Sequence, residues 1–166
     1  MAGSASAREP RAVRGARALF FDRLVDEHPE SAEEAQSLRV LGRDALRESV
    51  RRELARLLNT RSPRPEAFTS GEELTVLDYG VPDFSHLTAA SPDDRRNLAD
   101  ILAKAIAAFE PRLRQVQVIL EQPPGGETRL VGHIHAMLEV GTVKEPISFP
   151  LAFGTVTGEA AILAPA

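Results

Sequence analysis

Two histidines stand one residue apart in "HIH" (133–135), the only such pair in a chain of 166 residues. On a β-strand, positions i and i+2 share a face, so His133 and His135 point the same way, as two ligands of one metal ion must. A third ligand is then needed. The chain has no cysteine to supply it, and no HExxH-type helix appears. Two histidines on the solvent side of a sheet explain the pattern without a metal, and no metal or cofactor is assigned. Carboxylates are plentiful, 24 Asp and Glu in all. Glycoside hydrolysis needs only two of them brought together in space, so their presence alone selects nothing. "FEPRL" (109–113) is more specific: Glu110, Pro111 and Arg112 set a carboxylate, a helix breaker and a guanidinium side by side. A last group is cationic. Arg39, Arg43, Arg47 and Arg51 recur every fourth residue and form a basic stripe on one helix face.

Other chemistries are not represented. The absence of cysteine removes disulfides, thiolate zinc sites and thiol nucleophiles together. There is no nucleophile elbow, phosphate-cradling glycine loop or dinucleotide fingerprint. The glycines of "PPGGE" (123–127) lie between strand patterns, not before a helix. Aromatic residues make up 5% of the chain and are not interleaved with basic ones, so stacking platforms for single-stranded nucleic acid are poorly supplied. The formal charge of −4 also argues against nucleic acid as the main partner.

The elements that must position these groups follow from periodicity. At this length one domain buries roughly 70% of the surface its unfolded chain exposes. No apolar run approaches the ~20 residues of a membrane span. Residues 1–18 are basic and small but lack the apolar stretch of a secretory signal, and read as a disordered leader. "ALFFDRLVDEHPE" (18–30) reads as a short helix, and "SAEEAQ" (31–36) as a polar connection or helix start. The pattern over 37–60 predicts the longest helix, with Leu46, Val50, Leu54, Leu57 and Leu58 on its buried face. The arginine stripe lies opposite. It is either a solvated face laced by Asp44, Glu48 and Glu53, or a surface for an acidic partner. "LTVLDYG" (74–80) reads as a short strand or extended segment, followed by a turn at Gly80 and Pro82.

Ser91 as N-cap, Pro92 at the first helical position and Asp93 and Asp94 in the first turn predict a helix over 91–109. Its buried face is Leu98, Ile101, Leu102, Ala105, Ile106 and Phe109. After Pro111 the period changes to alternation. Three strand patterns follow over 115–121, 128–140 and 145–153, joined by turns, which implies an antiparallel meander. The fold class is therefore α+β: two to three helices packed on a small, mainly antiparallel sheet. Residues 19–153 form the domain, and 154–166 a tail or short terminal strand.

Three segments in order, "LRESVRRELARLLNTR" (46–61), "LTVLDYGVPDFS" (74–85) and "AIAAFEPRL" (105–113), resemble TssE. TssE is the baseplate subunit of the bacterial type VI secretion system, related to the wedge protein of contractile-tailed phage baseplates. The resemblance covers roughly residues 19–153. It implies a non-enzymatic cytoplasmic subunit of the wedge that helps start contractile sheath assembly. The implied partners are the wedge subunits TssF, TssG and TssK and the sheath subunits TssB and TssC. Glu110, Pro111 and Arg112 occupy the family's hallmark triplet, and the resemblance implies that they contact a partner. Arg39, Arg43, Arg47 and Arg51 are a possible secondary contact face. A peptidoglycan-cleaving, lysozyme-like enzyme is the alternative, since members have carried that label. A basic-helix module for nucleic acid is a third reading. As an exposed local pair, Glu110 and Arg112 add about 0–1 kcal/mol. Stability alone then gives little reason for them, and Pro111 simply sets the corner from helix to strand. An uncovered sheet edge would offer the sheath a site for strand addition.

Overall fold

A computed structural model describes residues 16–17, 30, 40–125, 129–141, 143–154 and 156–163. The helix expected over 18–30, apart from Glu30, the connection at 31–36 and Arg39 lie outside the described residues. Ala16–Arg17 (β1) pairs antiparallel with Val40–Leu41 (β2). The first helix, α1 (Arg43–Leu58), begins later than its apolar pattern because Gly42 takes an extended conformation at its N-cap. Leu46, Val50, Leu54, Leu57 and Leu58 are all buried, as the spacing requires.

The second helix, α2 (Pro92–Phe109), starts where the sequence places it. Ser91 Oγ accepts from the Asp94 N–H at 3.2 Å, Pro92 occupies the first turn, and Asp93 and Asp94 face the positive helix end. Its apolar face and that of α1 meet one side of a sheet of four antiparallel strands, in the order β3 (Leu113–Glu121), β4 (Arg129–Val140), β5 (Val143–Gly154), β6 (Ala160–Ile162). Alternation puts Leu130, Ile134 and Leu138 of β4 and Ile147, Phe149, Leu151 and Phe153 of β5 into the core.

The expected meander of three strands gains β6 as a fourth. It lies within 154–166, where the sequence left a tail and a short terminal strand both open, and long-range partners fix it. Asn59, at the end of α1, accepts from the Ala160 N–H at 2.9 Å and donates to the Ala160 carbonyl at 2.9 Å. Arg51 Nη1 donates to the Ile162 carbonyl at 3.1 Å. These side chains occupy backbone groups that an edge strand otherwise leaves open. At the other edge, no strand pairs with the outer side of β3 among the described residues. A bulge interrupts the start of β3, where the register passes from Arg114–Met137 to Gln117–His135 and Gln115 takes φ 53°. The bulge bends the strand just after the Pro111 corner.

The segment 74–80 is not extended. Val76–Asp78 forms a 3-10 turn, because Thr75 and Asp78 make a reciprocal capping box around it. The Thr75 N–H and hydroxyl both donate to Asp78 Oδ2 at 2.8 Å, and Thr75 Oγ1 accepts from the Leu77 N–H at 3.3 Å. These bonds outweigh the strand preference of an apolar run.

Candidate functional site

The triplet sits at the corner where α2 becomes β3. Phe109 ends the helix, and the Glu110 N–H makes the last helical bond, to the Ile106 carbonyl at 2.9 Å. Pro111 is exposed and cannot continue the helix. The Leu113 N–H then closes the corner onto the Glu110 carbonyl at 3.0 Å.

The side chains of Glu110 and Arg112 point inward. Their residues are 4% and 7% exposed, so the expectation of a surface pair is corrected. Arg112 grips Glu110 with two parallel bonds, Nε to Oε1 at 2.7 Å and Nη2 to Oε2 at 2.5 Å. The Arg112 N–H adds a third, to Oε1 at 3.2 Å. The remaining guanidinium nitrogen, Nη1, donates to Ser49 Oγ of α1 at 2.9 Å. Finally, the Arg112 carbonyl accepts from the Glu139 N–H of β4 at 2.8 Å. One residue thus ties the end of α2 to α1 and to the sheet.

This geometry explains the oddity in the sequence. A carboxylate at a helix C-terminus faces partial negative charge, and the forked guanidinium beside it supplies the compensating cation. A bidentate Arg–carboxylate pair is the strong form of this interaction. Removing one partner of a buried pair leaves an uncompensated charge in the interior. Ser49 was not identified from sequence. Its signal was a hydroxyl on the apolar stripe of α1, three residues after Leu46, since a polar group placed there must find a partner.

Tyr79 packs beside the corner, its ring edge-on to Phe109 with centroids 5.4 Å apart. Burial raises the Tyr79 pKa above 10.0, with the carboxylates of Glu53 and Glu110 acting in the same direction. Gly80, next in the chain, has φ +120° and lies against the backbone of residues 60–62. There Val81 accepts from the Ser62 N–H at 3.0 Å and donates to the Thr60 carbonyl at 2.9 Å. The "YG-PD" segment is thereby pinned to the end of α1.

The other candidate groups are dispersed. His133 and His135 stack on the outer face of the sheet, with ring centroids 5.6 Å apart and both residues exposed. Among the described residues no group of three or more His, Asp or Glu is placed to hold a metal ion. The arginine stripe is largely committed to the protein itself. Arg43 and Arg47 converge on Glu145 of β5 at 2.9 and 3.1 Å. Arg51 pairs with Glu48 at 2.6 Å as well as reaching β6. Glu48 is one of the lacing carboxylates expected from sequence, whereas Glu145 had no local signal. Glu110, enclosed by a guanidinium, is poorly placed to deliver a proton to a bulky polymer. No helix among the described residues is long and apolar enough to cross a membrane.

Acid dependence arises at Asp78. The Thr75 N–H and hydroxyl hold its carboxyl below the ordinary value of 3.8, and Arg64 adds to the same effect. A depressed folded-state pKa contributes stability that is present above the unfolded value and is lost as pH falls through the folded one. Thermal melts of the wild type should therefore drop more steeply below about pH 3.8 than melts of an Asp78→Asn variant. Parallel curves for the two proteins would show that Asp78 does not carry this dependence.

Comparison with known proteins places this arrangement. No curated protein matches the chain. The family model described as baseplate wedge protein gp25 matches residues 44–142. That span holds nearly all of α1, the Gly80 turn, α2, the buried corner and its contacts on Ser49 and Glu139. The chain belongs to the gp25 family of baseplate wedge proteins, structural components of phage-tail-like baseplates.

Proposed function

We propose that the chain is the TssE-type wedge subunit of a type VI secretion baseplate, working in the cytoplasm without catalysing a reaction. It joins TssF, TssG and TssK in the wedge and helps TssB and TssC begin the contractile sheath. The observation that carries this reading is the family match over residues 44–142, which takes in the three motifs that resemble TssE. The Glu110–Pro111–Arg112 corner is its main partner contact. Pro111 is the exposed member and meets the partner directly, while Glu110 and Arg112 hold the backbone that presents it. Arg39, Arg43, Arg47 and Arg51 form the secondary face, with the Arg43 side chain 67% exposed despite its pairing.

The sheet supports a route to sheath initiation. Asn59 and Arg51 cap the edge of β6, so strand addition belongs at β3, where residues 117–121 lie beyond the bulge. Co-expression with tagged TssF and TssG tests the class. Recovery of a stable complex containing this chain after size exclusion is the expected result. Elution of the chain alone, at concentrations where TssF and TssG associate with each other, would contradict it.

A further inference from the structure

Val76 and Leu77 are 82% and 70% exposed, two adjacent large apolar side chains at the tip of the 3-10 turn. Turns ordinarily place Gly, Asn, Asp or Ser at such positions, so neither local conformation nor core packing accounts for these two residues. The turn beneath them is firmly held. Thr75 and Asp78 cap it reciprocally, and Asp78 is itself 1% exposed. Arg64 Nη1 approaches Asp78 Oδ1 at 3.3 Å from behind. At the far end, Tyr79 anchors the turn on Phe109 beside the triplet corner. A rigid apolar projection loses little freedom on binding, which makes it an efficient anchor.

The surroundings specify the partner's chemistry. Arg64 also faces Glu72 at 3.4 Å and Glu66 at 3.8 Å, and Glu73 lies on the approach to the turn. The exposed carboxylates of Glu66, Glu72 and Glu73 thus outnumber the Arg64 guanidinium that two of them face, while Asp78 is buried beneath the turn. Charge complementarity calls for a receiving surface rimmed by Lys or Arg. A second copy of this chain does not fit that description. Its groove of about 390 Å³, lined by Phe68, Pro82 and Ile101, sets the carboxylates of Asp83 and Asp100 beside Lys104 and His86, and the Lys104 ammonium already donates to the Phe68 carbonyl, so the groove lacks a free basic rim.

We infer that Val76 and Leu77 form an anchoring prong that inserts into an apolar, basic-rimmed pocket on a different protein of the baseplate, next to the contact made by the Pro111 corner. This inference rests on the function proposed above and adds a contact residue pair and a partner chemistry to it.

The test uses the full chain and purified TssF–TssG complex as the probe, with affinity measured by biolayer interferometry. The double variant Val76→Ser/Leu77→Ser should bind about 30- to 100-fold more weakly, the scale of one interfacial anchor. Its melting temperature should match the wild type, since both side chains are exposed. Glu72→Lys/Glu73→Lys should also weaken binding, and added salt should weaken the wild type more than this charge variant. Equal affinity of wild type and Ser variant would overturn the prong while leaving the wedge assignment standing. Failure of the wild type to bind would overturn both. Concentration-dependent self-association of the wild type that the Ser variant lacks would assign the prong to a second copy and overturn the inference.

Discussion

Replacing Arg112 by Ala lowers the stability of the folded domain by about 3–5 kcal/mol, the range for breaking a buried ion pair by removing one partner. The loss has three sources. The Glu110 carboxylate, 4% exposed, is left in the interior without its cation. Ser49 Oγ loses its guanidinium partner at 2.9 Å. The cavity left by the side chain lies where α1, α2 and β4 converge. At 2–4 °C per kcal/mol for a domain of this size, the melting temperature falls by roughly 6–20 °C. Lys at this position recovers only part of the loss, because a single ammonium cannot reproduce the two-pronged grip on Oε1 and Oε2. An uncharged pair of similar volume, Glu110→Gln with Arg112→Met, is milder than Arg112→Ala because no charge stays buried. Chemical denaturation of the three variants checks this order. A change below 1 kcal/mol for Arg112→Ala would mean that the pair is solvated in solution.

The same result bears on assembly experiments. Loss of sheaths in an Ala variant of Glu110 or Arg112 follows from unfolding as readily as from a lost contact. Pro111 is the better probe, being exposed and outside the hydrogen-bond network of the corner.

Replacing Gly80 by Ala destabilises the domain by about 2–5 kcal/mol, combining unfavourable backbone strain with overpacking. At φ +120° only glycine is at ease. A Cβ there comes within 2.7 Å of the Ser62 nitrogen and 2.8 Å of both the Arg61 carbonyl carbon and the Thr60 oxygen. All three are backbone atoms, so no side chain can swing aside. Relief requires parting Val81 from the end of α1, which breaks its bonds to Thr60 and Ser62 and loosens Tyr79 against Phe109. Urea titration measures the cost, and Tyr79 fluorescence, arising from the only tyrosine in the chain, reports the local change. A variant with wild-type stability would show that this turn adapts in a way its geometry does not suggest.

Sequence revealed what neighbours in the chain decide. The apolar stripe of α1, the Ser91 cap with Pro92 and the alternation in β4 and β5 are local patterns, and each element appears close to where its pattern lies. The Thr75–Asp78 capping box was also local, but the intervening Val-Leu run reads as strand, and hydrogen bonding overrode it. The remainder was invisible because it joins distant positions. Arg112 meets Ser49 across 63 residues, Arg47 meets Glu145 across 98 and Asn59 meets Ala160 across 101. The triplet illustrates the division well. Periodicity found the corner and the helix breaker within it, yet whether its two charges faced water or the core depended on α1 and β4. Burial reverses the energetic argument, turning a pair too weak to matter at the surface into the link among three elements.

The central claim is that this chain acts as a structural wedge subunit on which a sheath is built. Its most direct test is to delete the gene, complement it with the wild-type chain, and count fluorescent TssB-labelled sheaths per cell. The account predicts that sheaths vanish, or nearly so, on deletion and return on complementation. Sheaths of normal number and length in the deletion strain would contradict it.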